Sequence, residues 1–449
     1  MKYLKIITVI CFSLIIIGQA QVWKSYTPPA LNVTKIIIDS VNQRAVLYGG
    51  GLGGNTWYDG VWEMSLADTL HYSWVKMQVT GPIQKRGYHC FIYDPKLQRG
   101  IVFCGDTSPT PDDYPCYTSD VRALNLQLGS ESWQKLNPSG TPPLPRVCAE
   151  GIYHPTRNSM IFFGGINPDG ARFNDVWELK LDTLRWQQIN PPGTKPAPRE
   201  AFPVCYDQIN NRMIVFGGFG DNGAFYNDLW ALDLTKGNEH WIHLSPTGMI
   251  PTIRAASAYG FDTKRNKLYI FGGWNYYSGF TFYNDVYVLD IPTMSWNKIN
   301  PTGDVPVVRR NSAGAYDIFN DNFIIFGGDA YYGLLSDTYI LFLESMLVGS
   351  QWVPIPTINS NPELIITSPS QENTRIRYIL SRPENMQLDI IDVNGRVIKN
   401  LASGISTSPT GWLVWNRIDN NNNKVSAGIY FCRLQTDELT LSKKFVIIK

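Results

Sequence analysis

The chain has 449 residues, with 39 Lys and Arg against 38 Asp and Glu, for a formal net charge of +1. So even a balance offers no bulk attraction to nucleic acid or to an anionic membrane surface, and neither is expected as a partner. The length admits more than one domain, and 13% aromatic residues with 14 Trp point to a periodic use of large rings.

Residues 1–20 carry Lys2 and Lys5, an apolar run from Ile6 to Ile17, and then Gly18-Gln19-Ala20. This is the pattern of a secretory signal peptide, too short for an ordinary membrane span, and Ile10 before Cys11 speaks against a lipid anchor. No later stretch is long and apolar enough for a transmembrane segment after signal removal. Cys90, Cys104, Cys116, Cys148, Cys205 and Cys432 follow without CxxC spacing, so buried thiols are expected, with Cys116 the one to test for pairing.

Between residues 21 and 357 one unit recurs. In its clearest copy, Arg199 precedes an alternating strand to Tyr206; Arg212-Met-Ile-Val-Phe ends in Gly217-Gly218, and a loop leads to Asn227-Asp228-Leu-Trp230. Trp241 and a Pro-containing link complete the copy. The glycine position recurs at Gly49-Gly50, Gly105, Gly164-Gly165, Gly272-Gly273 and Gly327-Gly328. The late tryptophan recurs at Trp74, Trp133, Trp186, Trp296 and Trp352 in steps of 53 to 59 residues. Six units of four short β-patterned runs predict an all-β, six-bladed propeller. Paired glycines permit positive φ and close backbone approach, Asn-Asp before the third strand fixes its loop by local hydrogen bonds, and the tryptophans bury roughly 150–250 Å² each between blades.

The double glycine, the third-strand Trp62, Trp177, Trp230, Tyr287 and Tyr339, and the fourth-strand Trp make residues 21–357 resemble a kelch-repeat β-propeller of the galactose oxidase/kelch type. Blade 2 departs from the pattern with Arg122 at the aromatic position. Val22-Trp23-Lys24 copies the fourth-strand pattern, so seven candidates exist for six fourth strands; either the Trp23 or the Trp352 strand closes the ring.

Residues 358–365 read as a linker, and residues 366–449 as a small Ig-like β-sandwich. Asp392-Val-Asn-Gly395, Trp415 with Asp419-Asn, Gly428-Ile-Tyr430-Phe and the terminal Lys443-Lys444-Phe-Val-Ile-Ile-Lys449 resemble the C-terminal sorting domain of type IX secretion. Asn423 stands where that family usually has Gly. The resemblance implies export by outer-membrane secretion machinery to a secreted or cell-surface location.

Antiparallel order puts the interblade links and the second-to-third-strand loops on one face. Arg86, Arg146, Arg199, Arg254 and Arg309 lie in the links, and the kelch resemblance implies a place at the channel mouth, where a guanidinium fork grips carboxylates. The alternative is that they brace loops or are neutralised by Glu150 and Glu200. Trp57, Tyr58, Tyr114, Phe219, Phe225, Trp274, Tyr276, Tyr277, Phe280, Tyr331 and Tyr332 add rings suited to a sugar face or an extended peptide, and the blade 5 loop is the foremost candidate. Phe173, Tyr226 and Tyr283 are expected to pack. The five histidines show no metal-ligand spacing, Tyr88-His89 lacks the companions a copper oxidase needs, and no cofactor or metal is expected. A binding module for an extracellular glycan or protein, acidic ligands included, is the leading reading. The alternative is a carbohydrate-modifying enzyme such as a sialic-acid-type epimerase, with Glu150 or Glu200 as base.

Overall fold

The computed structural model describes residues 28–54, 56–67, 72–109, 115–277, 279–343, 351–354, 363–366, 374–380, 385–405, 410–437 and 439–448. The expected signal peptide, the Trp23 strand and Tyr114 lie outside them.

Six antiparallel sheets carry the repeat. Blade 1 is Lys35–Asp39, Arg44–Tyr48, Val61–Ser65 and Trp74–Lys76, and blade 2 is Cys90–Asp94, Arg99–Phe103, Val121–Asn125 and Ser132–Leu136. Blade 3 is Glu150–His154, Ser159–Phe163, Val176–Lys180 and Arg185–Ile189, and blade 4 is Val204–Asp207, Arg212–Gly220, Phe225–Asp233 and His240–Leu244. Blade 5 is Ala258–Asp262, Lys267–Phe271, Val286–Asp290 and Ser295–Ile299, and blade 6 is Ala313–Asp317, Asn322–Phe326, Thr338–Phe342 and Gln351–Pro354. Gln351–Pro354 pairs with the third strand, Leu341 opposite Trp352, so the Trp352 strand completes blade 6.

The second strands are apolar on both faces because neighbouring blades sandwich them: Arg44–Tyr48 and Ser159–Phe163 are buried throughout. Each described tryptophan of the fourth strands reaches the second-strand ring of the preceding blade. Trp133 lies 4.5 Å from Tyr48, Trp186 5.0 Å from Phe103, Trp241 4.9 Å from Phe163 and Trp296 4.8 Å from Phe216, centroid to centroid. Trp74 of blade 1 meets Phe326 of blade 6 at 6.0 Å, which carries the same contact across the closure of the ring.

The paired glycines serve the blade junctions. Gly217 and Gly218 have φ of 61° and 104°, and the Gly218 N–H donates to the Arg254 carbonyl at 2.9 Å. A Cβ on Gly164 would stand 2.6 Å from the Arg199 carbonyl, so side chains are excluded where the next link crosses. On the outer rim, the chain leaving a fourth strand pairs in parallel with the fourth strand of the next blade. These contacts are Thr80 with Ser132, Ser139 with Arg185, Thr247 with Ser295 and Thr302 with Gln351.

Around the axis one residue of each blade is left-handed: Val33, Tyr88, Cys148, Ala201, Ala256 and Asn311, with φ between 48° and 57°. Their backbone groups form a closed circle, each N–H donating to the carbonyl of the previous member at 2.8–3.3 Å, and Val33 donating to Asn311. The orientation satisfies polar backbone that would otherwise line the axis unpaired.

The C-terminal sandwich has a three-stranded sheet of Glu363–Ile366, Thr374–Ile379 and Thr410–Trp415. Its four-stranded sheet is ordered Val397–Ile405, Asn385–Asp392, Gly428–Thr436, Thr440–Ile447. Its first strand starts at Glu363, inside the stretch expected to be linker. Leu388, Ile390, Trp415, Tyr430, Cys432 and Phe445 form its core. In the Asp419 turn the left-handed residue is Asn422, φ 64°, one position before Asn423.

Candidate functional site

Arg86, Arg146, Arg199, Arg254 and Arg309 are at most 1% exposed. Their position differs from the channel mouth expected from the sequence: each guanidinium turns into its own blade. Arg199 donates from Nη1 to the Gly217 carbonyl at 2.9 Å and to Asp228 Oδ1 at 2.6 Å, and from Nη2 to Asp228 Oδ2 at 2.9 Å. Arg146 holds Asp175, Arg254 holds Asp285 and Arg309 holds Asp337 in the same way, with bonds of 2.5–3.2 Å, whereas Arg86 donates from Nη2 to one oxygen of Asp120 at 2.8 Å and to the Gln84 side chain at 2.9 Å. Phe173, Tyr226 and Tyr283 lie 4.0–4.3 Å from the guanidinium carbons of Arg146, Arg199 and Arg254, packed as expected.

The Asn-Asp pair thus divides its work. Asn174, Asn227 and Asn284 donate to the carbonyls of Pro196, Pro251 and Pro306 and pin the next link. The aspartates grip arginine, and Asp175 and Asp228 also accept from the indoles of Trp177 and Trp230 at 2.7 and 2.8 Å. Burial pushes the Asp228 carboxyl up, but the bonds and charge of Arg199, with Trp230, hold it below the usual carboxylate range.

Glu150 and Glu200 pair with other cations. Glu150 accepts from Lys35 Nζ and, through Oε2, from the Tyr259 hydroxyl at 2.8 Å, joining blades 1, 3 and 5 across the axis. Burial opposes the Lys35 charge, yet Glu150 outweighs it and raises the ammonium pKa. The axial cavity bounded by Lys35, Glu150, Tyr88 and Cys148 has a volume of about 50 Å³. That is room for water-sized occupants and far below the several hundred Å³ of a small-molecule site. Glu200 bonds Arg172 at 2.6 Å, and burial nonetheless raises its carboxyl pKa. It does not border the axial cavity. His89 is fully buried against Tyr48 and held neutral by burial. Among the described residues no cluster of His, Cys, Asp and Glu is arranged to hold a metal.

The rings of the loop face divide sharply. Trp57 is 5% exposed and turns inward, where a Cβ on Gly87 would lie 2.4 Å from it. Tyr58 is half-buried and accepts from the Trp62 indole at 3.1 Å. On blades 4 to 6, by contrast, the rings run together: Phe219 to Phe225 at 4.6 Å, Phe225 to Trp274 at 5.0 Å, Trp274 stacked on Phe280 at 5.6 Å, and Phe280 to Tyr276 at 4.7 Å. The ribbon of Trp274–Asn275 and Thr281–Phe282 is bound to the blade 6 loop, because the Phe282 N–H donates to the Tyr331 hydroxyl and that hydroxyl donates to the Phe280 carbonyl, both at 2.9 Å. Tyr276, Tyr277, Phe280, Tyr331 and Tyr332 are 58–85% exposed. Arg172 lies over Phe219 at 4.4 Å and Arg310 over Trp274 at 4.6 Å; both cations are paired, with Glu200 and Asp329. Sequence reasoning missed these two arginines, which sit one residue before Phe173 and one after Arg309.

Residues 152–365 match the family model of the KLHDC2/KLHL20/DRC7 Kelch-repeats domain, and residues 367–448 match that of the secretion system C-terminal sorting domain. Acyl-CoA-binding domain-containing protein 4 of Arabidopsis thaliana is 26% identical over 58% of this chain and 39% of its own length. Leucine-zipper-like transcriptional regulator 1 homolog of Drosophila melanogaster is 28% identical over 50% of this chain and 23% of its own. The chain thus spans well under half the length of these curated relatives. The solved structure of YjhT aligns with a TM-score of 0.56 at 15% identity, covering 73% of this chain and 98% of that one, a likeness of fold. The sorting domain marks the chain for export by type IX secretion to the cell surface or extracellular space. The protein is a kelch-repeat β-propeller carrying a C-terminal type IX secretion sorting domain.

Proposed function

We propose that the exported propeller is a binding module whose contact surface is the aromatic patch of blades 4 to 6. The observation that supports this is the concentration of Tyr276, Tyr277, Phe280, Tyr331 and Tyr332, all more than half exposed, on loops braced against each other. Exposed rings on a rigid base bind sugar faces or extended peptides at little conformational cost. The link arginines serve as the base rather than as ligand contacts, and a glycan or protein ligand meets rings first. The first 20 residues act in this reading as the signal peptide that precedes outer-membrane export.

The experiment is binding of the purified secreted protein to a glycan array and to immobilised envelope proteins, alongside Tyr277→Ala and Phe280→Ala. Selective binding lost in both variants supports the reading; binding that neither variant alters refutes it.

A further inference from the structure

The outer rim is stapled wherever the link after a fourth strand spells Pro or Val, then Ser or Thr, then Gly. The Thr247 N–H donates to the Met294 carbonyl at 2.9 Å and the Ser139 N–H to the Leu184 carbonyl at 2.7 Å; the Thr80 N–H donates to the Glu131 carbonyl at 3.2 Å. Bonds to the tryptophan complete the staple, the Trp186 N–H donating to the Ser139 carbonyl and the Met249 N–H to the Trp296 carbonyl. In each case the first acceptor lies two residues before the tryptophan.

The junction between blades 3 and 4 breaks this rule. Its link reads Asn190-Pro-Pro192-Gly193, and Pro192 has no N–H to give to the corresponding carbonyl, that of Glu239. Gly193 keeps the backbone of its counterparts, φ 82° against 89°, 85° and 81° at Gly81, Gly140 and Gly248. A Cβ on those three would stand 2.3–2.9 Å from a tryptophan carbonyl, whereas one on Gly193 would meet nothing within 4 Å. The link has the staple's shape but stands off blade 4.

Two consequences lie in the gap. Trp241 sits opposite Leu232 as Trp186 sits opposite Leu179, so its N–H and carbonyl point outward, and no described backbone group bonds them. Where this open edge begins, at Glu239, it meets a groove of about 850 Å³ between blades 3 and 4, bordered also by Lys180, Gln187, Gln188, Pro192 and Lys236. Arg157 in its wall is neutralised by Glu178 and Glu239, whereas Lys180 and Lys236 have no carboxylate partner among the described residues. Natural sheets cover or charge such edges, and an edge left open accepts a strand.

We infer that the edge His240–Leu244 and its groove receive an extended acidic peptide segment of a partner protein, which takes the parallel place the missing staple leaves. Backbone bonds to Trp241 and Glu239 hold it, and Lys180 and Lys236 meet its carboxylates. The site lies on the outer rim, separate from the aromatic loops, and does not depend on them.

The test is fluorescence anisotropy of the full secreted chain with three labelled probes: a short peptide alternating Glu and Val, its Lys and Val counterpart, and the Glu and Val peptide with a methylated backbone. The first is expected to bind at least about tenfold more tightly than the others, and Pro192→Thr, which restores the donor, to weaken it by at least about tenfold. Lys180→Ala with Lys236→Ala is expected to weaken it and flatten its salt dependence, and Tyr277→Ala to leave it unchanged. Equal binding of the three probes, or of wild type and Pro192→Thr, overturns the proposal. Amide hydrogen exchange gives a readout without ligand: the Trp241 amide is expected to exchange much faster than that of Trp186 and to be protected in Pro192→Thr. Equal protection of the two amides in the wild type overturns the open edge itself. Binding at the aromatic patch that survives in Pro192→Thr separates the two sites.

Discussion

Arg199 binds both oxygens of Asp228, at 2.6 and 2.9 Å, while its own carbonyl accepts the Gly165 N–H of blade 3 at 2.9 Å. One residue therefore locks the third strand of blade 4 and fastens that blade to its neighbour. Removing the guanidinium leaves the Ala197 and Gly217 carbonyls without that donor and the Asp228 carboxylate without its cation, bonded still to the Trp230 indole. Arg199→Ala is expected to cost about 3–5 kcal/mol, read by chemical denaturation, and Arg199→Lys to recover only part of it because it lacks the fork.

Asp228 also sets an acid limit. Its folded pKa lies below the unfolded value, so its contribution is complete above roughly pH 4 and is lost as the pH falls through the folded value. Asp228→Asn is expected to lower stability at neutral pH and to flatten the acid limb of the stability profile. Denaturation midpoints between neutral and strongly acidic pH check this.

Lys35 has the opposite sign. Its folded pKa is raised by Glu150, so the pair's contribution is fully present below the ordinary lysine range and is lost as the pH rises through the folded value. Glu150→Gln is expected to destabilise the propeller near neutrality and to remove that alkaline decline, measured by thermal unfolding across pH.

The rim staples make a paired test. Gly248→Ala and Gly193→Ala both force a side chain into left-handed backbone, at about 1 kcal/mol. Only at Gly248 does the new Cβ meet a carbonyl, 2.3 Å away, which adds about 1–3 kcal/mol of overpacking. The difference between the two variants in urea midpoint measures how open the junction between blades 3 and 4 is.

In the sorting domain, residues 428–449 supply two strands of the four-stranded sheet and the core rings Tyr430 and Phe445. Their deletion is expected to abolish export, with the chain retained in the cell rather than in the surface or medium fraction by immunoblot.

The propeller was legible because Gly-Gly, or Cys104-Gly105 in blade 2, and Trp mark the same strand positions in all six units, so blade count follows from spacing. The arginines were legible as a set, but their role was not. Their partners lie 28 to 34 residues away, too far for a local pattern, although the near-constant interval from Arg199 to Asp228 and from Arg146 to Asp175, 29 residues in each, carried the signal. Trp57 and Tyr277 look alike as loop aromatics, and only the fold shows that Gly87 makes room for one while the other stands 85% exposed. Pro192, where the other links have Ser or Thr, stands in the sequence without a meaning of its own, because that meaning depends on an N–H whose acceptor is known only from the folded rim.

The most direct test of the binding account is titration of a glycan or protein captured by the secreted chain against wild type and a Tyr276→Ala, Tyr277→Ala, Phe280→Ala, Tyr332→Ala variant. These side chains are 58–85% exposed, so stability is expected to change little while affinity falls by at least about a hundredfold. Undiminished affinity in a folded variant would contradict the account.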